Sequence, residues 1–158
     1  IMWTDEDLDN FMKTEAPSFY PIYQNYKENI KRIDIARYFI LQKYGGIYAD
    51  MDYMVYKNFY NSLPQDKVSI SKSPYPGEFM QNALMISPQN HPFWEKVINK
   101  AKERKNWKST LKATGPNLIS DTYTPEDVNA LPTDTYNPPK DVFNKNLITK
   151  HFGTCSWC

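Results

Sequence analysis

Residues 30–52 read IKRIDIARYFILQKYGGIYADMD, and the fold turns on them. Ile33, Ala36, Ile40 and Tyr44 recur about one helical turn apart, and Ile35, Phe39 and Leu41 fill the other sides. That spacing predicts a helix over 30–44, apolar nearly all round and therefore buried. Gly45 and Gly46 end it, as glycines do at helix C-termini. Ile47-Tyr48-Ala49 then reads as a short buried strand that ends in Asp50-Met51-Asp52, with Tyr53 to Tyr56 continuing as strand or bulge.

Asp50 and Asp52 stand two apart at the predicted strand end. Residues i and i+2 of a strand face one side, with Cα atoms ~6.5 Å apart at ~3.3 Å rise per residue. Two carboxylates on one side suit a hard cation, which takes oxygen ligands and tolerates water and phosphate oxygens beside them. Glycoside hydrolysis by a carboxylate pair needs the two groups on opposite sides of the scissile bond, so the spacing favours metal. An Asp-x-Asp alone is common in surface loops; here it follows a helix that carries Arg32, Asp34 and Arg37. Buried charges are costly unless paired or functional. Asp34 and Arg37 are i,i+3 neighbours that can pair, and the pattern leaves an internal ion pair and a functional site equally open.

Outward from this stretch, helices and short strands alternate. Thr4 with Asp7 makes a capping-box-like start for a helix through Met12. Ser18 to Tyr26 is a turn or two of helix between prolines. Asn61 to Pro64 reads as a turn, Val68–Ser71 and Ala83–Ser87 as strands, and Pro92–Lys105 as a helix with Pro92 in its first turn. Thr114-Gly115-Pro116 opens a short helix through Tyr123, and after Pro125 the chain is turn-rich. His91 reads as a capping or packing residue at the helix start, and Trp94 and Trp107 read as core or surface-groove aromatics.

The 158 residues suit one domain with a real core. Nineteen basic and 18 acidic residues leave a net charge of +1, which makes no electrostatic case for nucleic acid or anionic membranes. The basic cluster from Lys100 to Lys108 reads as the solvated face of a helix. No apolar run is long enough to span a bilayer, and no signal peptide is visible. The chain opens at Ile1, which suits a fragment or processed form. Two cysteines, Cys155 and Cys158, do not make a disulfide scaffold.

The connected pattern Arg32-x-Asp34-x-x-Arg37-Tyr38, then Leu41-x-x-Tyr44-Gly45-Gly46-Ile47-Tyr48-x-Asp50-x-Asp52, closely resembles glycosyltransferase family 32. That family includes fungal α-mannosyltransferases and animal α-1,4-GlcNAc and α-1,4-galactosyl transferases, and its signature resembles the glucosylating domain of large clostridial toxins. Trp3 to Asp7, Asn82 with Leu84 to Ser87, His91-Pro92-Phe93, Thr114-Gly115-Pro116 and His151 with Ser156-Trp157 extend the resemblance over nearly the whole chain. It implies an α/β GT-A (Rossmann-like) fold in a single catalytic domain over 1–158. It also implies a nucleotide-sugar donor (UDP- or GDP-hexose), a glycan, lipid or protein acceptor, Mn²⁺ or Mg²⁺, and retention of anomeric configuration. Residue by residue it implies Asp52 as direct metal ligand, and Asp50 on the ribose, the donor sugar or metal-bound water. Asp34 and Arg37 would take donor-sugar hydroxyls, with Asn82 also on the substrate, and Tyr48 would support the nucleotide. His151 would approach the metal, and Ser156 and Trp157 the diphosphate. The family opens with a further strand that holds the base; nothing before Ile1 supplies it, so weak nucleotide binding is expected of the isolated chain. Cys155 and Lys150 stand where the closing motif usually has Gly and a second His. The source decides the expected compartment: secretory lumen if eukaryotic, cytoplasm if bacterial or viral.

Three rivals are weighed against this. A haloacid-dehalogenase-type phosphatase wants Thr or Val two residues past the second Asp, where Met54 stands, and later acidic ligands that are not evident. A zinc site from His151, Cys155 and Cys158 lacks a fourth ligand. An inactive sugar- or nucleotide-binding module would share every motif named. The tail from Lys150 to Cys158 is expected to be a mobile lid that orders over the diphosphate.

Overall fold

The structure, a computed structural model, describes residues 1–76 and 80–153. In chain order its elements are α1 (Asp5–Glu15), α2 (Tyr20–Asn25), α3 (Asn29–Tyr44), β1 (Gly46–Ala49), β2 (Tyr53–Val55), β3 (Val68–Lys72), β4 (Met80–Ser87), α4 (Phe93–Glu103), α5 (Thr110–Ala113), α6 (Pro116–Ser120), β5 (Val128–Leu131), α7 (Thr133–Tyr136) and β6 (Thr149–His151). The capping box at α1 forms as expected: Asp7 N–H donates to Thr4 Oγ1 at 3.2 Å, and Thr4 N–H donates to Asp7 Oδ2 at 2.8 Å. His91 Nδ1 accepts from Phe93 N–H at 3.2 Å at the start of α4.

The main sheet runs β1-β4-β3-β5, with β4 antiparallel to both neighbours and β3 parallel to β5. Every position of β4 is buried, because the sheet is covered on both faces. Met85 joins the larger core with Ile35, Tyr38 and Leu41 of α3, Trp94 and Val97 of α4, and Leu118 and Ile119 of α6. Leu84 and Ile86 belong to a second cluster with Phe59, Leu63, Leu131 and Tyr136. The alternation along one strand feeds two cores, as a period of two dictates.

Several elements differ from the sequence expectation. β1 is an edge strand, so its burial alternates and Ile47 is 51% exposed; the apolar run Ile47–Ala49 is not a buried strand. α4 stops at Glu103, two residues short of Lys105. The turn-rich C-terminal third contains β5, α7 and β6, each too short to show a period. β6 pairs antiparallel with β2, Tyr53 opposite His151. Lys150 is therefore no part of a mobile tail. It is fully buried, and its Nζ donates to the carbonyls of Lys140 (2.5 Å) and Val142 (2.8 Å) over the Phe143 ring. Cys155, Ser156, Trp157 and Cys158 lie outside the described residues.

The Gly45–Gly46 pair aims β1. Gly45 adopts φ +65°, ψ −154°, a region that essentially only glycine occupies. A Cβ there would lie 2.7 Å from Gln89 N and 2.8 Å from Ser87 O. Gly46 has φ +90°, but a Cβ there meets nothing within 4 Å. Gly45→Ala is expected to destabilise by more than the ~1–3 kcal/mol of backbone strain alone, and Gly46→Ala by strain only. Urea denaturation midpoints of the two variants check the order; equal losses would contradict it.

Candidate active site

α3 delivers Asp34 and Arg37 to the C-terminal end of β1, where the backbone turns from β1 into β2. The Asp50 carbonyl accepts from Tyr53 N–H at 3.0 Å, which closes a β-turn over 50–53. The two carboxylates thus converge through a turn, not through i,i+2 alternation on a strand. The turn is held at both sides: Asp50 N–H donates to Ala83 O at 2.8 Å and Phe152 N–H to Asp52 O at 3.0 Å. Pairing of β6 with β2 brings His151 to the same place. Its Nε2 is 3.1 Å from Asp52 Oδ1, and its ring stacks on Tyr53 at 4.9 Å with planes 7° apart.

Ligand atoms of Asp50, Asp52 and His151 all lie within 4.8 Å of one another. Adjacent ligands of an octahedral divalent cation at 2.0–2.1 Å stand about 3.0 Å apart, and opposite ones about 4.2 Å. The spread of up to 4.8 Å is slightly wider than this, so small side-chain rotations would bring all three onto one cation and leave positions for water or phosphate oxygens. One imidazole and two carboxylates make an oxygen-rich donor set, unlike the thiolate sites of soft metals.

Behind the turn lies a buried polar network. Arg37 Nη2 pairs with Asp34 Oδ1 at 3.3 Å, and its Nη1 reaches Asp50 Oδ1 at 3.3 Å and the Asn82 carbonyl at 2.9 Å. Asp34 Oδ1 also accepts from Asn82 Nδ2 at 2.9 Å, and Oδ2 from Thr114 Oγ1 at 2.9 Å. Asn82 Nδ2 also reaches Tyr38 Oη at 3.0 Å, and Tyr38 O–H donates to the Thr114 carbonyl at 2.6 Å. Tyr48 O–H donates to Asp50 Oδ1 at 2.7 Å, with the Arg37 guanidinium 4.4 Å over its ring. Burial raises the Asp34 carboxyl above its ordinary value, against the pull of Arg37, Thr114 and Asn82. Burial likewise raises the phenols of Tyr48 and Tyr38, so both stay protonated hydrogen-bond donors.

All of this opens into one cleft of about 850 Å³ whose lining includes Asp34, Arg37, Tyr48, Asp50, Asp52, Asn82 and His151. Seven site residues read from the sequence therefore share one cavity; Ser156 and Trp157 fall outside the described residues. Thr114 and Tyr38 were missed as site residues. Thr114 stands in a Thr-Gly-Pro turn and Tyr38 one residue past Arg37, but a hydrogen bond across 76 positions leaves no local signal.

Residues 1–69 match the family model described as the glycosyltransferase sugar-binding region containing the DXD motif. That stretch holds Asp34, Arg37, Asp50 and Asp52, and over it the chain is similar to this family. A mannosyl phosphorylinositol ceramide synthase of Saccharomyces cerevisiae is 38% identical over 125 residues, which cover 76% of this chain and 32% of that protein. Inositol phosphoceramide mannosyltransferase 3 of Schizosaccharomyces pombe is 37% identical over 98 residues, 62% of this chain and 27% of its own length. The chain spans about a third of the length of these curated relatives. The solved PaToxG glycosyltransferase superposes with a TM-score of 0.55 at 25% identity, covering 75% of this chain and 42% of that one. The mixed α/β fold is of the GT-A type. Among the described residues no helix is long and apolar enough to cross a membrane.

Proposed function

We propose that this DXD glycosyltransferase chain forms one catalytic unit that transfers a hexose from a UDP- or GDP-sugar, with a divalent cation and retention of anomeric configuration. The observation that carries the reading is the convergence of Asp50, Asp52 and His151 beside the Asp34–Arg37 pair in one cleft. Asp52 and His151 would hold Mn²⁺ or Mg²⁺, with Asp50 as a third ligand or a contact to the ribose, the sugar or bound water. The cation, when bound, supplies charge to the diphosphate leaving group. The chain's own residues do the rest. Tyr48 and Arg37 fix the Asp50 carboxylate from behind. Asp34 and Arg37, locked by Asn82 and Thr114, present a rigid charged pair to sugar hydroxyls, and rigidity of such groups is what orientation requires. Tyr48 would also back the nucleotide.

The relatives' names point to mannose as the first donor to try and a phosphoinositol-bearing sphingolipid as the first acceptor. Incubation with UDP- and GDP-hexoses and Mn²⁺ is expected to release nucleoside diphosphate from one donor, with release lost on chelation by EDTA. No release from any donor with Mn²⁺ or Mg²⁺, acceptor present, would contradict the reading and favour a binding module.

A further inference from the structure

The net charge of +1 hides an uneven distribution. Residues 100–112 carry Lys100, Lys102, Arg104, Lys105, Lys108 and Lys112 against Glu103, while residues 1–15 carry five acids against Lys13. Arg104 pairs with Asp121 at 2.8 Å, and Lys100 donates to the Asp121 carbonyl. Lys105, Lys108 and Lys112 are exposed. The sequence expectation of a solvated helix face does not hold for Lys105 and Lys108, because α4 ends at Glu103 and they lie on the segment leading into α5, which carries Lys112.

That segment has a fixed backbone. Lys31 of α3 is buried, and its Nζ donates to the carbonyls of Trp107 (3.1 Å) and Lys108 (3.3 Å). The Arg104 guanidinium lies 4.6 Å from the centroid of the Trp107 ring. Yet Trp107 is 45% exposed and Leu111 38%. Leu111 lines the catalytic cleft, and so do Met51, 88% exposed, and Tyr75, 49% exposed. Leu111, Met51 and Tyr75 share this cleft, and Lys108 and Lys112 stand beside Leu111 in the chain; exposed apolar side chains that share one cleft mark a contact surface. An exposed Trp flanked by lysines is the combination that settles at a lipid–water boundary, the ring at headgroup level and the charges on anionic lipid.

We propose that this lip, Lys105 to Lys112 with Met51 and Tyr75, docks on an anionic lipid bilayer and so presents the cleft mouth to an acceptor at the membrane surface. The proposal deepens the acceptor class of the function proposed above. Docking itself needs neither donor nor metal, so its failure would leave that function standing.

The test is co-sedimentation of the chain with mixed phosphatidylserine–phosphatidylcholine vesicles and with pure phosphatidylcholine vesicles. Binding is expected to the first and far less to the second. Lys105→Gln/Lys108→Gln/Lys112→Gln is expected to weaken it on the order of a hundred-fold, at about five-fold per lysine, with nucleoside diphosphate binding unchanged. Tryptophan emission should shift to the blue on the anionic vesicles, and the shift should vanish in Trp107→Phe. Equal binding to both vesicle types, binding to neither, or full binding by the triple variant would overturn the proposal. Retention on a soluble polyanion such as heparin without vesicle binding would overturn it too, in favour of a non-lipid partner.

Discussion

Asp34→Ala is expected to cost up to about 3–5 kcal/mol of stability, because it breaks a buried ion pair and leaves Arg37 only the partly exposed Asp50 as counter-charge. Asn82 Nδ2 and Thr114 Oγ1 each lose one acceptor in the same step and keep only Tyr38 Oη and the Thr110 carbonyl, so weakened buried hydrogen bonds add to the loss. Asp34→Ala/Arg37→Met should recover a large part of it, since removing both charges leaves nothing stranded. Urea denaturation of the three proteins checks this; a single-variant loss below about 1 kcal/mol would show that Asp50, not Asp34, satisfies Arg37. Asp34→Asn separates structure from recognition. It keeps the shape and one acceptor, and should weaken a nucleotide sugar more than the bare nucleoside diphosphate. Equal losses for both ligands would make the pair structural only.

Asp52→Asn is expected to lower metal-dependent affinity for nucleoside diphosphate by at least about a hundred-fold, more than loss of an outer-shell partner does. The fold should survive, since Asp52 is partly exposed at a turn. His151→Ala should act in the same direction with a smaller effect, since Asp50 and Asp52 remain. Calorimetric titration with and without Mn²⁺ reads both. Undiminished binding by Asp52→Asn would remove Asp52 from the metal site.

Much of this arrangement is legible along the chain. The helix over 30–44, its two glycines and the capping box at Thr4 are local features, and each forms where periodicity and capping chemistry put it. The charged pair Asp34–Arg37 is legible as an i,i+3 neighbour relation. What sequence reasoning missed depends on distant pairing. His151 was expected near the metal from the resemblance alone; the pairing that brings it to Asp52 across 99 positions runs through a three-residue strand that no periodicity could announce. The same pairing buries Lys150, so the expected lid does not begin there. The convergence of Asp50 and Asp52 was expected for the wrong local reason: a β-turn anchored to Ala83 and Phe152 replaces strand alternation. Thr114 shows a further limit, since its hydroxyl matters only once α5 and α6 pack against α3. Lys105 and Lys108 read as an ordinary solvated face until the end of α4 at Glu103 sets them on the segment that leads to Leu111 in the cleft.

In the function proposed, Asp50, Asp52 and His151 form a divalent-cation site that a nucleoside diphosphate completes. Electron paramagnetic resonance of Mn²⁺ reads it most directly, because the free-ion signal falls as the ion binds. The account predicts binding at one site per chain, tightened by UDP or GDP and lost in Asp52→Asn. A free-ion signal unchanged by the protein with both nucleotides present, or binding that survives replacement of all three residues, would contradict it.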